Sequence, residues 1–171
     1  MSTAMTRRTA AVCLAWGFAP WAAAAPRGAV AQPTLQGVVT QVIDGNTLAF
    51  TPAGQAAATV RLRDIEAPEP CQPWGAEARA ALAELALNKP ATLRASGRDA
   101  QGRTLAVVLV EEVNLNQRLV EEGHAWSTRG RNGHGPLLKQ ERMARALGRG
   151  LHAGGSAVPP GEFRRAHGPC K

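Results

Sequence analysis

The chain contains no tyrosine, and aromatic residues make up only 4% of it. A binding face built from several stacked rings is therefore poorly supplied; Trp126 is the one candidate, and it reads first as a core residue beside Leu119. Neither CxxC nor HxxxH spacing occurs, so metal ligation by cysteine or histidine is the weaker reading. His124, His134, His152 and His167 are accordingly read as surface or packing residues. There is no internal repeat. Past the N-terminal segment, no apolar run approaches the roughly 20 residues needed to span a bilayer.

That N-terminal segment has its own pattern. MSTAMTRR is basic, TAAVCLAWGFAPWAAAA is uncharged and apolar, and small-residue sites follow, the second being AVA at 29–31. The order is that of a secretory signal peptide, expected here at residues 1–31, with Gly17 and Pro20 interrupting the run before it could serve as an anchor. The expectation is an exported chain, periplasmic or secreted, free of the membrane after cleavage and monomeric. Residues 32–153 would then form one domain and residues 154–171 a basic tail.

Charge is distributed unevenly. Residues 32–123 carry 8 basic and 11 acidic side chains, whereas residues 124–171 carry 9 and 2. A basic second half suits an anionic partner, either nucleic acid or a membrane surface. With Cys13 in the leader, Cys71 and Cys170 remain as an even pair, and an oxidising destination favours a bridge between them. Closing a loop of roughly 100 residues contributes at most about 4–5 kcal/mol through the unfolded state.

Alternation and turn residues predict strands at 37–42, 46–52 and 58–65, joined by DGN and AGQ turns. Ala78, Leu82 and Leu85 recur at helical spacing within a helix over 73–87. Two further strands are predicted at 91–96 and 103–110, followed by a short helix capped by Asn114 and stopped by Gly123. A last helix over 136–147 would bury Leu137, Ala144 and Leu147 and turn Lys139, Arg142, Arg145 and Arg149 outward. The tail from Gly161 reads as polar and loose apart from its cysteine. Five strands with a helix after the third give an α+β chain: an OB-fold barrel with about three helices.

Charged residues gather at the element junctions. Asp44 lies in the first turn, Glu66 and Glu69 follow the third strand, and Arg103 opens the fifth. With Arg61 they combine hard oxygen donors, as Ca²⁺ prefers, with guanidiniums suited to phosphate. Arg61 and Glu66 are five residues apart, so an unbroken strand would send them to opposite faces. Pro68 is the residue expected to break the pattern.

VIDGNTL (42–48), VRLRDIEAPE (60–69) with QPWGAEAR, DAQGRTLA (99–106) and VNLNQRLVEEGHAW (113–126) occur in this order. Together they resemble the thermonuclease, or staphylococcal-nuclease-like, family over roughly 36–152. The resemblance implies an OB-fold and a Ca²⁺-dependent endonuclease acting on DNA and RNA, most often single-stranded. Residue by residue it implies catalytic roles for Arg61, Glu69 and Arg103, with Glu69 as general base. It also implies metal ligation by Asn46, Glu66 and the backbone carbonyl of Ala67, with Asp44 close by. Two positions depart from the family pattern: Asn46 and Glu66 both stand where aspartate is expected. A formal charge is lost at the first and a methylene gained at the second, so weaker Ca²⁺ binding is expected, with Mg²⁺ or Mn²⁺ as alternatives. Gln101 stands where the family often has tyrosine. The rival expectation is an OB-fold that binds nucleic acid but has lost efficient catalysis.

Overall fold

The computed structural model describes residues 34–130, 132–155 and 157–170. The segment read as a signal peptide lies outside the described residues. The first strand, β1 (Thr34–Asp44), pairs antiparallel with both β2 (Thr47–Pro52) and β5 (Pro90–Arg98). β2 pairs antiparallel with β3 (Ala58–Leu62), and β5 pairs antiparallel with β6 (Thr104–Val110). A parallel pairing of β3 with β6, Arg61 opposite Leu105, closes the five strands into a barrel. This is the expected OB-like arrangement. The strand at 58–65 is, however, two strands: β3 and a two-residue β4 (Ile65–Glu66).

Alternate residues point inward, as the period of a half-buried strand requires. Val39, Leu48, Phe50, Val60, Leu62, Leu93 and Val108 are buried in one continuous core. The helix α1 (Gly75–Ala86) adds Ala78, Leu82 and Ala86 to it, and α2 (Leu115–Glu121) adds Leu115, Leu119 and Val120. Truncating a fully buried leucine such as Leu82 to alanine would cost about 2–5 kcal/mol. Asn114 ends the two-residue β7 (Val113–Asn114) and caps α2, its side chain accepting from the Gln117 amide at 3.2 Å. Another two-residue strand, β8 (Trp126–Ser127), pairs with β4.

The described residues include four α-helices, one more than the sequence suggested. The third, α3 (Leu138–Ala146), buries Ala144 but leaves Leu147 at its end exposed. Of its outward basic residues, Arg145 pairs with Glu141 instead of remaining free. The unforeseen helix is α4 (Pro160–His167), within the tail read as loose. Proline at its first turn is pre-set for helix entry, and Phe163 stacks on His167 one turn later with ring centres 4.6 Å apart. No helix among the described residues is long and apolar enough to cross a membrane.

Candidate active site

The turn between β1 and β2 supplies the first wall. Asp44 Oδ1 accepts from the Asn46 amide at 2.8 Å, a local bond that fixes the tight turn. A Cβ on Gly45 would stand 2.7 Å from that of Ala67 and 2.8 Å from that of Ala78. Glycine thus lets this turn press against the chain that carries the next two carboxylates. Asn46 is only 4% exposed; its backbone carbonyl accepts from the Leu62 amide, and its Nδ2 donates to the Ile65 carbonyl at 3.3 Å.

The second wall depends on a break between β3 and β4. The break falls at Arg63–Asp64, ahead of Pro68, with Asp64 at φ 67°. Aspartate tolerates this left-handed conformation better than most residues. Arg63 Nε holds the Asp64 carboxylate at 2.8 Å, and the Thr128 amide donates to the Asp64 carbonyl. Asn116, buried on α2, donates to the carbonyls of Arg63 and Ala106 and accepts from the Val108 amide. This amide ties the break to β6. The changed direction, not a continuous strand, allows Arg61 and Glu66 to line the same cavity.

Glu69 follows in a turn held by Gln72, whose Oε1 accepts from the Glu69 amide at 3.1 Å. At Gly75 a Cβ would lie 2.1 Å from the Glu69 carbonyl oxygen, so the start of α1 packs directly under this turn. Arg103, between β5 and β6, is aimed by Asp99. Asp99 Oδ2 accepts from Arg103 Nε at 2.7 Å, and its Oδ1 accepts from the backbone amides of Gln101 and Arg103. Desolvation favours protonation of Asp99, but the hydrogen bonds and charge of Arg103 outweigh it and hold the carboxyl below its ordinary value. Gln101 turns its Oε1 to Arg103 Nη2 at 3.3 Å, so it contacts the arginine where a family tyrosine would offer a ring.

Asp44, Asn46, Arg61, Glu66, Ala67, Glu69 and Arg103 all line one open cleft of about 420 Å³. Every residue singled out for catalysis or metal ligation is therefore in one place. The Arg61 side chain has no ion-pair or hydrogen-bond partner among the described residues, which leaves its donors available to a ligand.

The profile described as "Staphylococcal nuclease homologue" matches residues 59–153, more than half of the chain. The chain belongs to the staphylococcal nuclease family. An uncharacterized endonuclease of Haemophilus influenzae is 35% identical over 128 residues, covering 74% of this chain and 71% of its own. Micrococcal nuclease of Shigella flexneri is 32% identical over 142 residues, covering 77% and 81%. Protein ParB of Escherichia coli is 35% identical over 142 residues, covering 77% and 80%.

Among the described residues no three His, Cys, Asp or Glu side chains cluster to hold a metal ion. Of the side chains lining the cleft, the candidate donors are the carboxylates of Asp44 and Glu66 and the amide oxygen of Asn46, oxygen donors of the kind a hard cation takes, with less negative charge than three carboxylates would bring.

Sequence reasoning missed three contributors. Asp99 stands four residues before its arginine across a glycine turn, a spacing that could have revealed it. Asn116 carried no signal apart from its place in a helix. Arg164, from α4, also lines the cleft and forms an ion pair with Glu69, through Nη1 and Oε1. It lies beyond the residues that match the family profile. The disulfide Cys71–Cys170 joins the far end of this tail to the Glu69 turn.

Trp126 is 4% exposed and meets His152 edge-on at 6.3 Å, so it belongs to the packing and offers no stacking surface.

Proposed function

We propose that this protein is an exported, metal-dependent endonuclease that hydrolyses phosphodiester bonds of DNA or RNA, with single strands as the preferred substrate. The observation that carries the reading is the convergence of Arg61, Glu69 and Arg103 on one cleft beside the oxygen donors Asp44, Asn46 and Glu66. Export is supported by the N-terminal residue pattern and by a disulfide, which persists in oxidising compartments.

In this mechanism Glu69 accepts a proton from the water whose oxygen attacks phosphorus, while the bond from phosphorus to the leaving oxygen breaks. Arg61 and Arg103 donate to the phosphoryl and leaving oxygens, where negative charge builds in the transition state. Asp99 keeps the Arg103 fork turned toward that charge. The carboxylates of Asp44 and Glu66, the Asn46 side-chain carbonyl and the Ala67 backbone carbonyl would hold the cation, Ca²⁺ by family likeness, with Mg²⁺ or Mn²⁺ as alternatives. When bound, such a cation supplies positive charge at the phosphate and acidifies a coordinated water. The reduced charge of this donor set favours weak metal affinity.

The experiment is cleavage of single-stranded DNA by the chain from Gln32, with Ca²⁺ or with chelator, beside Glu69→Gln. Cleavage that needs the metal and is lost in Glu69→Gln supports the reading. Salt-sensitive binding without cleavage, even at high Ca²⁺, would instead make the protein a nucleic-acid binder.

A further inference from the structure

The tail is fastened to one short turn at three points. Cys170 is bonded to Cys71, Gln72 Nε2 donates to the Val158 carbonyl, and Arg164 meets Glu69. Between these fastenings α4 lies along the cleft. Pro160 and Arg164, one turn apart, line the cleft itself, while Phe163 and His167 line a neighbouring apolar cavity with Trp74. The helix is thus seated by its aromatic face, and its basic residue is presented to the site.

A structural role accounts poorly for the Arg164 contact. The arginine side chain is 42% exposed and the Glu69 side chain 21%. Ion pairs in such a setting contribute little to stability because water competes for both partners. Arg164 uses one nitrogen on Glu69, and the other donors of its fork have no partner among the described residues. A phosphate could accept from two guanidinium nitrogens at once, and bidentate pairing of this kind is stronger than a single contact.

We propose that Arg164 forms a third phosphate subsite of the cleft: held by Glu69 in the free protein, it passes to a phosphate flanking the scissile one when nucleic acid binds. This rests on the nuclease reading of the cleft. The exchange has two effects. It adds a backbone contact to the substrate, and it releases Glu69 to meet the water. The substrate therefore needs a phosphate beyond the bond that is cut, so chains carrying that extra phosphate are the ones this subsite selects. Cys71–Cys170 and Gln72 keep the arginine within reach throughout.

The test is binding of a fluorescent oligothymidylate to the full chain in chelator, across a series of salt concentrations. Each phosphate contact on a single strand contributes about 0.7 to the slope of log affinity against log salt. Arg164→Ala should weaken binding about tenfold at low salt and lower the slope by about 0.7. Arg165→Ala removes an equal charge from the next residue of α4, which does not line the cleft, and should leave the slope unchanged. Cys170→Ser should move affinity in the same direction as Arg164→Ala.

An unchanged slope in Arg164→Ala, or an equal fall in Arg165→Ala, overturns the subsite. An unchanged affinity in Cys170→Ser, with the fold intact by circular dichroism, overturns the mooring. The nuclease reading is decided separately by metal-dependent cleavage in the wild-type chain. If the wild type cleaves and Arg164→Ala binds like it, only the subsite falls. If the wild type never cleaves, the slopes still decide whether Arg164 holds phosphate.

Discussion

Glu69 and Glu141 both meet arginine guanidiniums, yet the two carboxylates stand in opposite surroundings. Glu141, on α3, is 1% exposed. Its Oε1 accepts from Arg129 at 2.9 Å and Arg145 at 2.7 Å, and its Oε2 accepts from the Ser127 amide at 3.0 Å. Both oxygens are engaged, and the group fastens α3 to β8. Glu69 lies at an open cleft with one oxygen on Arg164 and the other without a partner among the described residues. The lesson is that carboxylate–arginine contact does not by itself mark a site. Spare acceptor capacity inside a cleft that also holds Arg61 and Arg103 does, because a reacting proton needs somewhere to go and the charge it leaves needs a partner.

The sharpest way to break this comparison is to neutralise each glutamate in turn. Glu69→Gln should reduce cleavage by about 10²–10⁴-fold, the usual worth of a positioned acid or base. Its stability should change by less than about 1 kcal/mol, since the lost pair is exposed. Glu141→Gln should do the reverse. It loses charge-assisted bonds in a buried position, a destabilisation of about 2–3 kcal/mol read by denaturant unfolding, while the folded fraction keeps its activity. If Glu141→Gln silenced cleavage without loss of stability, the contrast would be wrong.

A smaller effect separates aiming from chemistry. Asp99→Asn keeps an oxygen for the turn amides but weakens the hold on Arg103, and should lower kcat about tenfold through misplacement of the guanidinium. KM should move less, and circular dichroism should report an intact barrel. An unchanged kcat would show that Arg103 needs no such orientation.

The smallest effect concerns protons outside the cleft. Burial pushes the His124 pKa below 6.5, against the opposing charges of Glu122 and Glu84. At His152, burial and then the Arg145 charge do the same, with Glu141 opposing. Trp74 Nε1 also donates to His124 Nδ1 at 3.3 Å, a bond that requires the unprotonated nitrogen. Both histidines therefore take up protons more readily in the unfolded chain than in the fold. Their contribution is fully present above pH 6.5 and lost as pH falls through the lowered values. The melting temperature should decline from pH 7 to pH 5, by less than Glu141→Gln causes, and His124→Gln with His152→Gln should flatten that decline. An equal slope in the double variant would remove the histidines from the account.

Much of this architecture could be read from residues alone. The strands showed period-two alternation between turn residues, and the oxygen-rich junctions carried the family motifs. The Arg63–Asp64 break was hidden because its cause is distant: Asn116 and Thr128 hold it, and neither is near in sequence. The helix α4 was hidden for another reason. Eight residues are too few to be stable as an isolated helix, and the polarity of GEFRRAHG gives no clear apolar face. Its order comes from seating Phe163 and His167 against the body and from the disulfide. Arg164 became visible only with that helix in place.

The parallel seam between β3 and β6 has a consequence in time. Arg61 sits within it, and Arg103 immediately precedes Thr104, which pairs with Val60. The strands of this seam are joined by β4, α1 and β5, so it is a long-range pairing, of the kind that forms more slowly than local hairpins. The β1–β2–β3 meander can assemble from neighbouring segments while the two arginines remain apart. A refolding chain would therefore regain strand signal before it regains a grip on phosphate. Two long-range seams, β1 with β5 and β3 with β6, are left for later than the meander, and the second of them brings the site's arginines together.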